Sequence, residues 1–138
     1  PNPDGSGPRM AMQRALVDAG LHASTIDYVN AHGTATPFND ACEARAIMDV
    51  CPAAWVSSTK GQMGHSLGAA GAIEAVVCAL AMRHGFFPPN IHFRSGDPAT
   101  PVRVVANDAI AGNPVRVLSN SLGFGGANAS VILEAVEK

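Results

Sequence analysis

The sequence predicts an α/β fold, with helices layered on one mixed sheet of five strands. Three observations carry that reading. Helix-like and strand-like runs alternate from residue 8 to residue 84, in the order α-β-α-β-α. Three strand-like runs then follow with no helix between them. The last two of these are joined only by the short GFGGA, a connection suited to an antiparallel pair.

Residues 8–19, PRMAMQRALVDA, place Met10, Leu16 and Val17 at helical spacings, with Pro8 in the first turn and Gly20 as C-terminal cap. IDYVNA, 26–31, is short and β-rich. DACEARAIMDVC, 40–51, reads as a helix with Ala41, Ala44, Ile47 and Met48 turned inward. Asp40 can cap it, and Glu43 lies three residues on, the spacing of a capping box. AAWVSST forms the second strand. A helix between two strands calls for a parallel pair with a right-handed crossover. Residues 65–84 form the longest helix, closed by His84-Gly85, and FFPPNIHFRSGDPATP is a proline-rich surface connection. VRVVA, VRVLSNS and NASVILEAV complete the strands.

At 138 residues, 47% hydrophobic, the chain is long enough for one domain with a real core. Its formal net charge of −2 lacks the basic face a nucleic-acid binder needs. No apolar run is expected to reach the roughly 18 residues of a membrane helix, and no signal peptide is read. PNPDGSG opens the chain without a Met, so a fragment, a processed chain or an incompletely ordered one is expected. Cys42, Cys51 and Cys78 are odd in number and lack CxxC spacing, which points to reduced thiols in the cytoplasm rather than a disulfide framework or a metal site.

Three stretches can carry chemistry. NAHGTATPFND follows the first strand, so His32 stands at a strand's carboxyl end, where open α/β sheets place their sites. Thr34 and Thr36 offer hydroxyls to a ligand; the same loop also reads as one that merely caps local backbone. SSTKGQMGHSLGAAGA repeats the layout after the second strand, with Lys60 and His65. At the amino end of a long helix a histidine is disfavoured as imidazolium, and a neutral ring donates an N–H to a developing oxyanion. Gly68 and Gly71 share a helix face and call for a closely packed partner helix. NSLGFGGANAS supplies a glycine-rich turn whose N–H groups can form an oxyanion hole, or a plain hairpin turn.

In order and spacing, NAHGTATPFNDACEA, SSTKGQMGHSLGAAGAIEA and NSLGFGGANASVIL resemble the C-terminal half of a β-ketoacyl-acyl-carrier-protein synthase, a condensing enzyme of fatty-acid and polyketide synthesis. The resemblance runs over nearly all of the chain. It implies the thiolase fold, two similar βαβαβαββ halves face to face with helices on both faces of each sheet, and it makes residues 1–138 the second half. It also implies decarboxylative Claisen condensation of an acyl thioester with malonyl carrier protein. By the resemblance His32 and His65 are the catalytic histidines, Lys60 is the active-site lysine, Glu43 is its ionic partner and Asp40 is a nearby acidic position. Thr34 and Thr36 hold the pantetheine arm; Phe124 is the gating aromatic and lends its N–H to the oxyanion hole. Glu43 thus keeps two readings, helix cap and partner of Lys60.

The substrates would ride on the 4'-phosphopantetheine of acyl carrier protein, with no other cofactor and no metal. The implied partners are acyl carrier protein, the N-terminal half and a second synthase subunit in a homodimer or heterodimer, with no nucleic acid or membrane. The family's nucleophilic Cys lies in the first half, and Cys42, Cys51 and Cys78 do not match it. Leu122, Ala127, Gly61 and Met63 depart from the family's common residues, which bears on gating and acyl-chain preference. One alternative is a non-catalytic partner like the chain-length-factor subunits, which bind carrier protein but commonly lose catalytic residues. Another is a degradative thiolase, which needs a second cysteine near the glycine turn that NSLGFGGAN lacks.

Overall fold

A computed structural model describes residues 4–136. Its five-stranded sheet runs β4-β2-β1-β6-β7. The strands are β1 (Tyr28–Asn30), β2 (Trp55–Ser57), β4 (Arg103–Val104), β6 (Arg116–Leu122) and β7 (Asn128–Glu134). The first four of these are mutually parallel, and β7 alone runs antiparallel to β6. A separate two-residue ladder pairs β3 (Phe86–Phe87) with β5 (Ile110–Ala111). Segments that short carry no readable period, which is why the sequence does not announce them.

Helices cover both faces. From α1 (Ser6–Ala19) and α2 (Pro37–Val50), Met12, Leu16, Ala46, Ile47 and Val50 pack with Val29, Val56 and Leu118. On the opposite face, Cys78 of α4 (Ala70–His84) packs with Tyr28 and Val117. β1 is central and all three of its residues are buried. Gly20 and Gly85 close α1 and α4 in the left-handed conformation, as expected.

Several local expectations are corrected. In α1 the buried face is Pro8, Met12 and Leu16, while Met10 and Val17 are exposed. The second helix begins at Pro37, with Thr36 as N-cap accepting from the Asn39 N–H at 3.4 Å. Asp40 therefore sits in the first turn and is not the cap. The buried stripe of α2 is Asn39, Cys42, Glu43, Ala46, Ile47 and Val50; of the four expected inward residues only Ile47 belongs to it. The expected inward face is thus turned by about one position from the observed one. His65 precedes α4 rather than starting it. A short helix α3 (Lys60–Met63) comes first, and a 3-10 turn, Leu67–Ala69, leads into Ala70.

Leu67–His84 is long and apolar enough, by length and composition, to cross a membrane, which overturns the expectation that no stretch would be. Here it packs on the sheet and carries a buried Glu74 ion-paired with Lys60. Its outer face shows why it is so apolar: Leu67, Ile73, Val76 and Leu80 are 71%, 37%, 59% and 43% exposed. The partner helix expected against Gly68 and Gly71 is not found among the described residues. A Cβ on Gly71 would stand 3.1 Å from Ser121 Oγ of β6, while one on Gly68 would meet nothing within 4 Å. An apolar flank of this kind marks an interface or an aggregation site. The isolated 1–138 chain is expected to self-associate and to bind a hydrophobic dye. A dilute monomer by sedimentation velocity, with no dye binding, would contradict this.

Candidate active site

β1 and β2 run side by side, with Asn30 opposite Ser57, so the loops leaving their carboxyl ends are neighbours. His32 emerges from the first and is buried. Its N–H donates to Glu43 Oε1 at 2.8 Å, and the Gly33 N–H donates to Oε2 at 2.9 Å. Gly33 has φ 43°, and a Cβ there would lie 2.5 Å from the Cβ of Ser58, so both backbone and space demand glycine. Ser58 Oγ donates to the Gly33 carbonyl at 3.1 Å, tying the two loops together.

Lys60 opens α3 and is buried. Its ammonium pairs with the buried Glu74 of α4, not with Glu43. The reason is which face each helix covers. Glu43 hangs from α2 on one side of the sheet, and Glu74 from α4 on the other. Glu43 is also fully engaged: besides the two backbone donors it accepts from Asn120 Nδ2 at 3.1 Å and Asn39 Nδ2 at 3.4 Å. Burial pushes its carboxyl up, and those donors, the Gly33 and His32 N–H groups first, oppose the shift.

The His65 ring lies 5.5 Å from that of His32, centroid to centroid, and nearly perpendicular to it at 84°. The Leu67 N–H donates to His65 Nδ1 at 3.2 Å. A nitrogen that accepts carries no proton, so the neutral ring holds its hydrogen on Nε2. Leu67 has φ 52°, a strained backbone that aims this N–H. The pKa of His32 is lowered to about 4, by burial first, then by the Lys60 charge and His65. His32 is therefore a neutral imidazole at physiological pH.

Both histidines border a hollow of about 560 Å³. Gly68, Ala70 and Gly71 line it with little side-chain volume, and Leu122, Phe124 and Ala127 line the opposite side. Phe124 is 98% exposed, at the head of the 3-10 turn Phe124–Gly126. Thr34 and Thr36 lie in the His32 loop, their hydroxyls 3.2 Å apart. Asp40 is set aside: it accepts from Asn39 Nδ2 at 3.2 Å and borders a larger hollow of about 700 Å³ that neither histidine lines. Cys42, Cys51 and Cys78 are buried and line neither hollow. Burial raises the thiols of Cys51 and Cys78 to about 11 and about 12, which makes them poor nucleophiles.

His32, His65 and Phe124 thus border one hollow, while Lys60 does not line it and acts on His32 through its charge. Two supporting residues escaped sequence reasoning. Glu74 was legible as a lone carboxylate inside the apolar AAGAIEAVVC, where a buried charge needs a partner. Asn120 carries only the weaker signal of a polar residue within a buried strand.

A family model described as "Beta-ketoacyl synthase, C-terminal domain" matches residues 1–94. The chain is 43% identical over 140 residues to the 3-oxoacyl-(acyl-carrier-protein) synthase 2 of Coxiella burnetii, covering 99% of the chain and 34% of the relative. It is 45% identical over 143 residues to the mitochondrial 3-oxoacyl-(acyl-carrier-protein) synthase of Arabidopsis thaliana, covering 99% and 31%. The chain therefore spans about a third of the length of these curated relatives. Among solved structures, the ishigamide ketosynthase/chain length factor matches with TM-score 0.94 and 41% identity, covering 98% of the chain and 34% of that structure's chain.

Proposed function

The chain belongs to the β-ketoacyl synthase family, matching its C-terminal domain, and from that premise we propose that it supplies the enolate-forming half of a decarboxylative condensing site. The observation that carries the proposal is the pair of histidines 5.5 Å apart, one of them held neutral. The malonyl thioester, delivered on the phosphopantetheine of acyl carrier protein, loses CO₂. The electron pair of the broken C–C bond becomes an enolate whose charge gathers on the thioester oxygen. His32 and His65 donate N–H groups to that oxygen. The enolate carbon attacks the acyl thioester, and the cysteine sulfur leaves as thiolate. Thr34 and Thr36 hold the pantetheine arm beside His32, and Phe124 gates the acyl chain.

The thiolate comes from a second, thiolase-like half outside residues 1–138, which also covers the apolar flank of α4. The working unit is a homodimer or heterodimer of synthase subunits, and three buried cysteines outside any disulfide among the described residues suit a reducing compartment such as the cytoplasm. The assembly of His32, Lys60 and His65 favours a catalytic chain over a chain-length-factor-like partner. Full-length protein is expected to decarboxylate malonyl carrier protein and form a β-ketoacyl product. The 1–138 chain alone is expected to take up no acyl group, as read by mass spectrometry with iodoacetamide protection. An acyl thioester on Cys42, Cys51 or Cys78 at catalytic rates would refute that assignment, and a full-length protein inert toward malonyl carrier protein would refute the reaction.

A further inference from the structure

We propose that Asn120 is a positioning residue for His32, acting through Glu43; the role rests on the condensing reading above. Asn120 is fully buried in β6. Its amide is oriented from both ends: Oδ1 accepts from Ser130 Oγ of β7 at 2.7 Å, and Nδ2 donates to Glu43 Oε1 at 3.1 Å. The same Oε1 accepts the His32 N–H at 2.8 Å, and Oε2 takes the Gly33 N–H at 2.9 Å. A continuous path therefore runs from β7 through β6 and α2 to the backbone under the His32 ring. No other group of the described residues holds both of these N–H donors.

The path works because Glu43 accepts with both oxygens. Burial pushes the Glu43 carboxyl up, and its four donors hold that shift back. Asn120 is one of two side-chain donors among the four. Without it Oε1 loses one of its two donors and the protonated form gains ground, in which an O–H oxygen is a poorer acceptor for a backbone N–H. The loop then relaxes, and the His32 ring leaves its place beside His65. Misplacement of a catalytic group by about 1 Å costs on the order of 10²-fold in rate.

The test uses full-length synthase with Asn120→Leu, Ser130→Ala, Glu43→Gln and the Asn120→Leu/Glu43→Gln double variant. Decarboxylation of malonyl carrier protein and acyl transfer are assayed separately. Asn120→Leu is expected to lower the kcat of decarboxylation by about ten-fold or more, with KM and acyl transfer within about two-fold. Ser130→Ala, which only frees the amide to turn, follows the same pattern at about three-fold. The double variant is expected to lose little more than the worse single one, since both act on one path. Hydrogen exchange at the His32 and Gly33 amides quickens in Asn120→Leu and Glu43→Gln alike. Equal loss of both half-reactions, or multiplicative loss in the double variant, overturns the proposal. So does unchanged exchange at His32 and Gly33, whatever the reaction. A wild-type protein that fails to decarboxylate overturns the condensing reading instead, and the exchange result still decides whether Asn120 holds this loop.

Discussion

Replacing His32 by alanine in the full-length protein is expected to lower malonyl decarboxylation by about 10²–10³-fold, with acyl transfer comparatively intact. The asymmetry follows from where charge develops. In the proposed reaction decarboxylation builds an enolate oxygen served by both imidazoles, and His32 would contribute a donor that burial and Lys60 keep neutral. In the same proposal acyl transfer builds its charge at the other thioester, over the cysteine of the other half and the backbone N–H groups of the Phe124 turn. His65→Ala should give the same split, because His65 lines the same hollow as His32 and its ring is held by the Leu67 N–H. Separate assays of the two half-reactions, with a melting curve for each variant, make the comparison. Equal loss of both at unchanged stability would assign the histidines to acylation.

Lys60→Met is expected to cost about 3–5 kcal/mol of stability and to depress both half-reactions. The substitution leaves Glu74, 2% exposed, as an uncompensated buried carboxylate. Adding Glu74→Leu should recover most of the stability, since two packed apolar side chains of similar volume replace a desolvated ion pair at little net cost. Glu43→Leu on the Lys60→Met background should recover none of it, because Glu43 answers to the donors on His32, Gly33, Asn39 and Asn120. Chemical denaturation of the single and double variants measures this. Recovery through Glu43 rather than Glu74 would restore the pairing expected from the sequence.

The sheet was legible for a local reason. Residues 26–31, 53–59 and 115–121 are short, β-rich runs that become the central strands, and their separation by helices leaves parallel pairing as the simple solution. The neighbourhood of His32 and His65 followed from this, since loops leaving adjacent parallel strands share an edge. The start of α2 was also within reach: Pro37 at the first helical position behind a Thr is a stronger signal than Asp40 further on.

What the sequence by itself determined, then, was the run of the main strands and helices, the mixed sheet, and the placing of His32, Lys60 and His65 on neighbouring loops. These rest on periodicity and on short motifs, which are properties of neighbouring residues. What only the tertiary structure decided was who faces whom. Glu43 and Glu74 are both carboxylates on helices packed against this sheet; the apolar run around Glu74 says that it needs a partner, but nothing local says which partner each one takes. The side of the sheet on which each crossover helix lies gives Glu74 to the lysine and Glu43 to the backbone of the histidine loop. Because a buried charge is stable only opposite its complement, that choice of face fixes both roles.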